Sequence, residues 1–92
     1  MIESEYTDEC DRVASALTWG QVDTLVALVE SGPLFDGDVP SPTARNELIE
    51  LRVAARVIVN GDDGYTAATY FGRDVYKARF GSALGGRADA LR

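Results

Sequence analysis

The chain contains no histidine, so the commonest general base and the commonest metal ligand are both missing. No Ser-His-Asp or Cys-His arrangement can form from it. Cysteine is nearly absent as well. Cys10 stands alone, which excludes an intramolecular disulfide, and with no histidine beside it the usual zinc ligand sets are excluded too. Glu9 and Asp11 flank this thiol and Asp8 lies close by, so negative charge holds back the thiolate and an inert side chain is expected. Neither a G-x-x-x-x-G-K-[ST] run nor a G-x-G-x-x-G run occurs, which removes the common phosphate-binding loops. No apolar run reaches the roughly 18 to 20 residues that a membrane span needs. The acidic opening Met1-Ile2-Glu3-Ser4-Glu5 is unlike a secretory signal, so a cytoplasmic protein with no membrane contact is expected. These absences predict a protein that is not an enzyme and takes no cofactor and no metal.

Basic residues are scarce: nine Lys and Arg face fifteen Asp and Glu, for a net charge of −6. Such a balance opposes nonspecific attraction to nucleic acid. The charge is unevenly spread. Residues 1–40 carry nine acids and only Arg12, whereas residues 41–92 carry six acids and eight bases. With 92 residues and a hydrophobic share of 46%, the chain has enough apolar material for one modest core. One domain over residues 1–81 is predicted, with residues 82–92 as a flexible tail that has little to bury.

Ile2, Tyr6, Cys10, Val13 and Leu17 recur at steps of four and three, which predicts a first helix with acids on its other faces. Thr18 and Gln21 have capping-box spacing, so a second helix begins there and carries Val22, Leu25, Val26 and Val29 to a stop at Gly32-Pro33. Trp19 is expected in the core or at a helix junction. Residues Pro33 to Pro40 hold Asp36-Gly37-Asp38 and read as a loop with turns. A calcium loop is not supported there, because Pro40 and Ser41 break its register.

Ser41-Pro42 starts a third helix, with serine as N-cap and proline at the first helical position. At 100° per residue Ala44, Leu48, Leu51 and Ala55 make a core stripe. Arg45, Arg52 and Arg56 lie on one flank, Glu47 and Glu50 on the other, and Ile49 and Val53 on the far face. From Ala54 the composition turns β-branched. Val57-Ile58-Val59 and Tyr65-Thr66-Ala67-Ala68 bracket Asn60-Gly61-Asp62-Asp63-Gly64, which predicts a β-hairpin with its turn inside Asn60 to Gly64. Thr69 caps a last helix through Val75, Tyr76 and Phe80 that stops at Gly81. The fold class is therefore α+β and mainly helical, with three to four helices and a hairpin in the C-terminal half.

The helix ending near Leu51, the strand with Arg56-Val57, the hairpin, and Thr69-Tyr70-Phe71-Gly72-Arg73-Asp74-Val75-Tyr76 together resemble the second half of a winged-helix domain, over about residues 40–80. In that family a recognition helix runs into a hairpin called the wing, and a threonine and a Gly-Arg pair open the next helix. The family also has a compact helix before the recognition helix, where this chain has the Pro33 to Pro40 loop. The resemblance implies a transcriptional regulator bound to double-stranded DNA, with Ser41, Thr43, Arg45 and Asn46 at the major groove. Arg52, Arg56 and Arg73 would hold phosphates. On this reading Arg45 sits beside the core stripe, and its removal spares the fold. The alternative is a protein-binding adaptor or inhibitor, using the acidic first helix through Glu5, Asp8 and Glu9 or the face of Ile49 and Val53. A homodimer through the first and last helices is also expected, since so small a chain gains core by pairing.

Overall fold

The computed structural model describes the backbone of residues 3–91 and the side chains of residues 5–80. Ile2 of the predicted first stripe lies outside the described residues. Among those described, four helices pack around one antiparallel sheet: α1 (Glu3–Ala16), α2 (Trp19–Ser31), β1 (Leu34–Phe35), α3 (Pro42–Glu50), β2 (Ala54–Val59), β3 (Asp62–Ala68) and α4 (Tyr70–Leu91). The architecture is α+β and mainly helical, as the sequence pattern predicts. No described helix is long and apolar enough to cross a membrane.

The stripe of α1 faces the core through Cys10, Ala14 and Leu17, with Tyr6 and Val13 half-buried beside them. It packs along α4. Tyr6 meets the Phe71 ring edge-on at 6.1 Å, and the Arg79 guanidinium donates to the Ala14 carbonyl at 3.0 Å, so the two helices run side by side in the same direction. At the head of α2 both bonds of the capping box are present: the Gln21 amide donates to Thr18 Oγ1 and the Thr18 amide donates to Gln21 Oε1. Val22, Leu25 and Leu28 carry this helix into the core, and it ends at Gly32 with φ +78.

Trp19 departs from expectation, being 77% exposed. It occupies the first helical position of α2, one turn ahead of Val22, and its ring lies under the Arg79 guanidinium at 5.6 Å instead of entering the core.

The loop reading of Pro33 to Pro40 needs correction. Leu34 and Phe35 form β1, which pairs antiparallel with Thr66 and Tyr65, and Asp36–Asp38 make a single 3-10 turn before α3. A two-residue strand is too short to show alternation, and its partner lies thirty residues away in the chain. The sheet order is β1-β3-β2.

Ser41 caps α3 as predicted, its hydroxyl accepting from the Ala44 amide at 3.1 Å. The helix then ends at Glu50, and Arg52 takes φ +67. That left-handed residue breaks the helical phase. Leu51, assigned to the core stripe, is 39% exposed, whereas Val53, assigned to an exposed far face, is wholly buried. Ile49, its predicted companion, is half-buried against the same core.

The hairpin is present, and Ala54, Ala55, Arg56 and Val57 pair with Ala68, Ala67, Thr66 and Tyr65. Its turn is Asn60-Gly61, both at positive φ, the conformation that the tight two-residue hairpin turn requires. Asp62 and Asp63 open β3. Between the pairs Val57–Tyr65 and Val59–Asp62, β3 holds one residue more than β2, and Gly64 at φ +88 absorbs the bulge.

Thr69 joins sheet to helix as predicted. Its amide donates to the Val53 carbonyl at 3.1 Å, its hydroxyl donates to the Arg52 carbonyl at 2.7 Å, and the same oxygen accepts from the Gly72 amide at 2.9 Å. The helix α4 runs past the predicted stop at Gly81 to Leu91. An interior glycine costs a helix about 1 kcal/mol and does not forbid it.

Gly72 has no room for a side chain, since a Cβ there would lie 1.9 Å from the Val53 carbonyl oxygen. Gly72→Ala is therefore expected to destabilise the fold by about 3 kcal/mol, read as a lowered urea midpoint at unchanged slope. The opposite sign is expected at Thr24. Its buried hydroxyl has no hydrogen-bond partner among the described residues, so Thr24→Val should raise stability by about 1 kcal/mol in the same assay.

Candidate functional site

The basic flank predicted for α3 converges on one carboxylate. Asp36, on the 3-10 turn, accepts from Arg45 Nη1 at 2.9 Å and from both terminal nitrogens of Arg56, at 2.6 and 3.0 Å. Arg56 Nη1 also donates to the buried Thr66 hydroxyl at 3.2 Å. Three elements place these groups. The β1–β3 pairing sets the 3-10 turn beside the sheet, the first turn of α3 presents Arg45, and the β2–β3 register puts Arg56 opposite Thr66.

This arrangement changes the electrostatics. The paired hydrogen bonds and charge of Arg56, aided by Arg45, hold the Asp36 carboxyl below the ordinary carboxylate range, and Asp36 in turn raises the Arg56 guanidinium. Both guanidiniums share this one carboxylate, so each is paired within the chain and the cluster keeps one net positive charge.

Of the residues the resemblance assigns to DNA, Arg45 and Arg56 are thus bound to Asp36, and Arg45 has only 15% of its side chain exposed. Its removal would break this pairing and leave Asp36 held by Arg56 alone. Asn46 Oδ1 is occupied by Arg45 Nε and Nη2 at 3.1 and 3.0 Å, and the Ser41 hydroxyl is spent on its cap. Thr43 is exposed. Arg52 and Arg73 are exposed, and neither side chain makes a hydrogen bond or ion pair with a described residue. They stand on either side of Thr69, which bonds the Arg52 carbonyl and receives the Arg73 amide.

Of the residues proposed for a protein partner, Glu5 and Asp8 are exposed and Glu9 is half-buried and paired with Arg12. Val53 is a core residue and leaves that set, and Ile49 offers only part of its surface.

The exposed side of α3 consists of Pro42, Thr43, Asn46, Glu47 and Glu50, with Leu51 beyond its end. Gln21 Nε2 donates to Glu47 Oε1 at 3.1 Å, which ties the start of α2 to this acidic face, whereas the ring of Trp19 lies against Arg79 of α4. Sequence reasoning missed Trp19 because aromatic size favours burial, and only its helix-start position hinted otherwise. It also missed Asp36 as a hub, since a turn carboxylate gives no sign of its partners at a distance of nine and twenty residues.

Elsewhere, Tyr6 donates to Asp74 Oδ2 at 2.5 Å, and this bond, with burial, raises the phenol pKa. Burial pushes the Cys10 thiol up, with Asp74 and Asp11 adding to the effect. No group of three His, Cys, Asp or Glu among the described residues is placed to hold a metal ion.

No protein-family model matches the chain, and comparison with curated proteins and with solved structures finds no similar protein.

Because the Asp36 pKa is depressed on folding, the pairing stabilises the protein fully above the ordinary carboxyl value of 3.8 and fades as pH falls through the lower folded value. Asp36→Asn is neutral at every pH. It should melt below the parent at neutral pH, with the gap closing as the buffer is taken below 3.8; a gap that stays constant into strong acid would place the stabilisation elsewhere.

Proposed function

We propose that the chain is a non-catalytic, winged-helix-like module that acts by binding another protein through the face that α3 shares with the start of α2. The carrying observation is the composition of that face: Glu47 and Glu50 stand exposed on α3, Gln21 of α2 bonds Glu47, and Arg45 and Arg56 are both held by Asp36. A helix presenting two carboxylates and no free base repels a phosphate backbone and suits a basic protein surface. Trp19 supplies the large, rigid apolar area typical of an interface anchor. The winged-helix assignment is supported by the short passage from α3 through Arg52 into the hairpin and by Thr69 and Gly72-Arg73 at the head of α4.

A transcriptional regulator bound to double-stranded DNA is the second reading. It is favoured by the exposed, unpaired Arg52 and Arg73 on either side of Thr69.

Anisotropy of a labelled duplex titrated with the protein over a salt series separates the two. Little binding at physiological ionic strength is expected, and the partner captured from nuclease-treated host extract should be lost with Trp19→Ala while the variant stays folded. Steep, salt-dependent duplex binding, or capture that nuclease abolishes, would overturn the protein-binding reading in favour of DNA.

A further inference from the structure

The strand β2 forms one edge of the sheet, with β3 on one side and no backbone partner for Ala54–Val59 on the other among the described residues. Edge strands of soluble proteins are usually guarded by proline, free charge, a bulge or shortness. This one has none of these on its own chain. It is six residues long, has no proline, and its single charge, Arg56, is tied to Asp36; the bulge lies on β3.

The two faces of the strand differ. Ala54 and Arg56 share the core side of the sheet with their partners Ala68 and Thr66, so Ala55, Val57 and Val59 project from the opposite side. There Val57, Tyr65 and Phe35 align in one row across all three strands, with the two rings edge-on at 5.5 Å and Phe35 48% exposed. The row stops at the open edge, where a further strand would continue it.

We propose that β2 pairs antiparallel with β2 of a second copy of this chain, about a two-fold axis through Val57, to make a six-stranded sheet. In that register Val57 faces Val57, Ala55 faces Val59 and Arg56 faces Ile58 of the other copy. Apolar residues therefore meet on one side, and no like charges are opposed. Centring on Arg56 instead would set two guanidiniums face to face. Centring on Ile58 would leave Ala54 and Ala55 beyond the overlap.

Charge complementarity supports a second copy as the occupant. The same register brings Arg52, exposed and unpaired, to the level of the other copy's hairpin tip, where Asp62 and Asp63 are exposed. Symmetry makes this contact twice. The pairing is independent of the face proposed above for a partner protein, and it differs from the dimer through the first and last helices expected from sequence.

Sedimentation equilibrium on the full chain tests it, with circular dichroism to confirm folding. The parent should be dimeric at micromolar concentration. Val57→Lys, which places two ammonium groups at the axis, should weaken association at least about tenfold. Arg52→Glu should weaken it as well, and adding Asp62→Arg and Asp63→Arg to the same chain should restore it; the side chains of Arg52 and these aspartates are exposed and every substitute keeps a Cβ, so this series remains informative if Val57→Lys fails to fold. Register is read by oxidation in a Cys10→Ala background. Val57→Cys should form a disulfide-linked dimer readily, because directly opposed residues sit about 4.5 to 5.5 Å apart between Cα atoms, within disulfide reach. Val59→Cys should not. A parent that stays monomeric at high concentration, a dimer indifferent to both the Val57 and Arg52 variants, or equal cross-linking at positions 57 and 59 would each overturn the proposal.

Discussion

The junction at Arg52 and Val53 couples the helices to the sheet. Arg52 turns the chain through a left-handed conformation, which a residue with a Cβ adopts at a cost unless its surroundings hold it there. The Thr69 hydroxyl supplies that hold through the Arg52 carbonyl, and the next carbonyl, of Val53, accepts the Thr69 amide. Gly72 lies so close to this carbonyl that α4 can approach only without a side chain there. Val53 itself is wholly buried among residues from α2, α3 and α4. One turn thus sets the end of α3, the start of β2 and the seat of α4.

A second constraint acts on charge. Asp36 lies in the acidic N-terminal part of the chain and Arg45 and Arg56 in the basic part, so the asymmetry along the sequence is partly cancelled in space. The pairing anchors the 3-10 turn against α3 and the sheet. It also leaves the outer side of α3 acidic, while Arg52 and Arg73, whose side chains pair with no described residue, are joined through the backbone of Thr69 and its hydroxyl. The outer side of α3 thus presents carboxylates and the junction presents arginines. The strand edge of β2 carries a single charge, Arg56, which is paired with Asp36.

Local patterns were legible from the residues alone wherever the responsible interaction spans only a few positions. The capping box of Thr18 and Gln21, the Ser41 cap, the Asn60-Gly61 turn and the Thr69 start of α4 all depend on neighbours within a turn of chain, and each formed as its chemistry predicts. The stripe of α1 was equally readable, because helical periodicity needs no knowledge of what covers it. The absence of histidine and the single cysteine likewise restricted the available chemistry without any structure.

Tertiary contacts decided the rest. Helical periodicity carries the phase of α3 too far because the left-handed residue beyond its end is an arginine, without the glycine that usually marks such a position, and this exchanges the places of Leu51 and Val53. The strand β1 exists only because β3 offers it a partner, and Asp36 gathers two arginines only because that pairing sets its turn beside the sheet. The charged groups of α3 were visible as a row of letters, but whether they faced a ligand or one another depended on a carboxylate brought in by the fold. Sequence alone determined where helices and the hairpin begin, because caps and turns are local hydrogen-bonding problems; tertiary structure decided which side chains remain free to bind, because pairing and burial depend on residues distant in the chain.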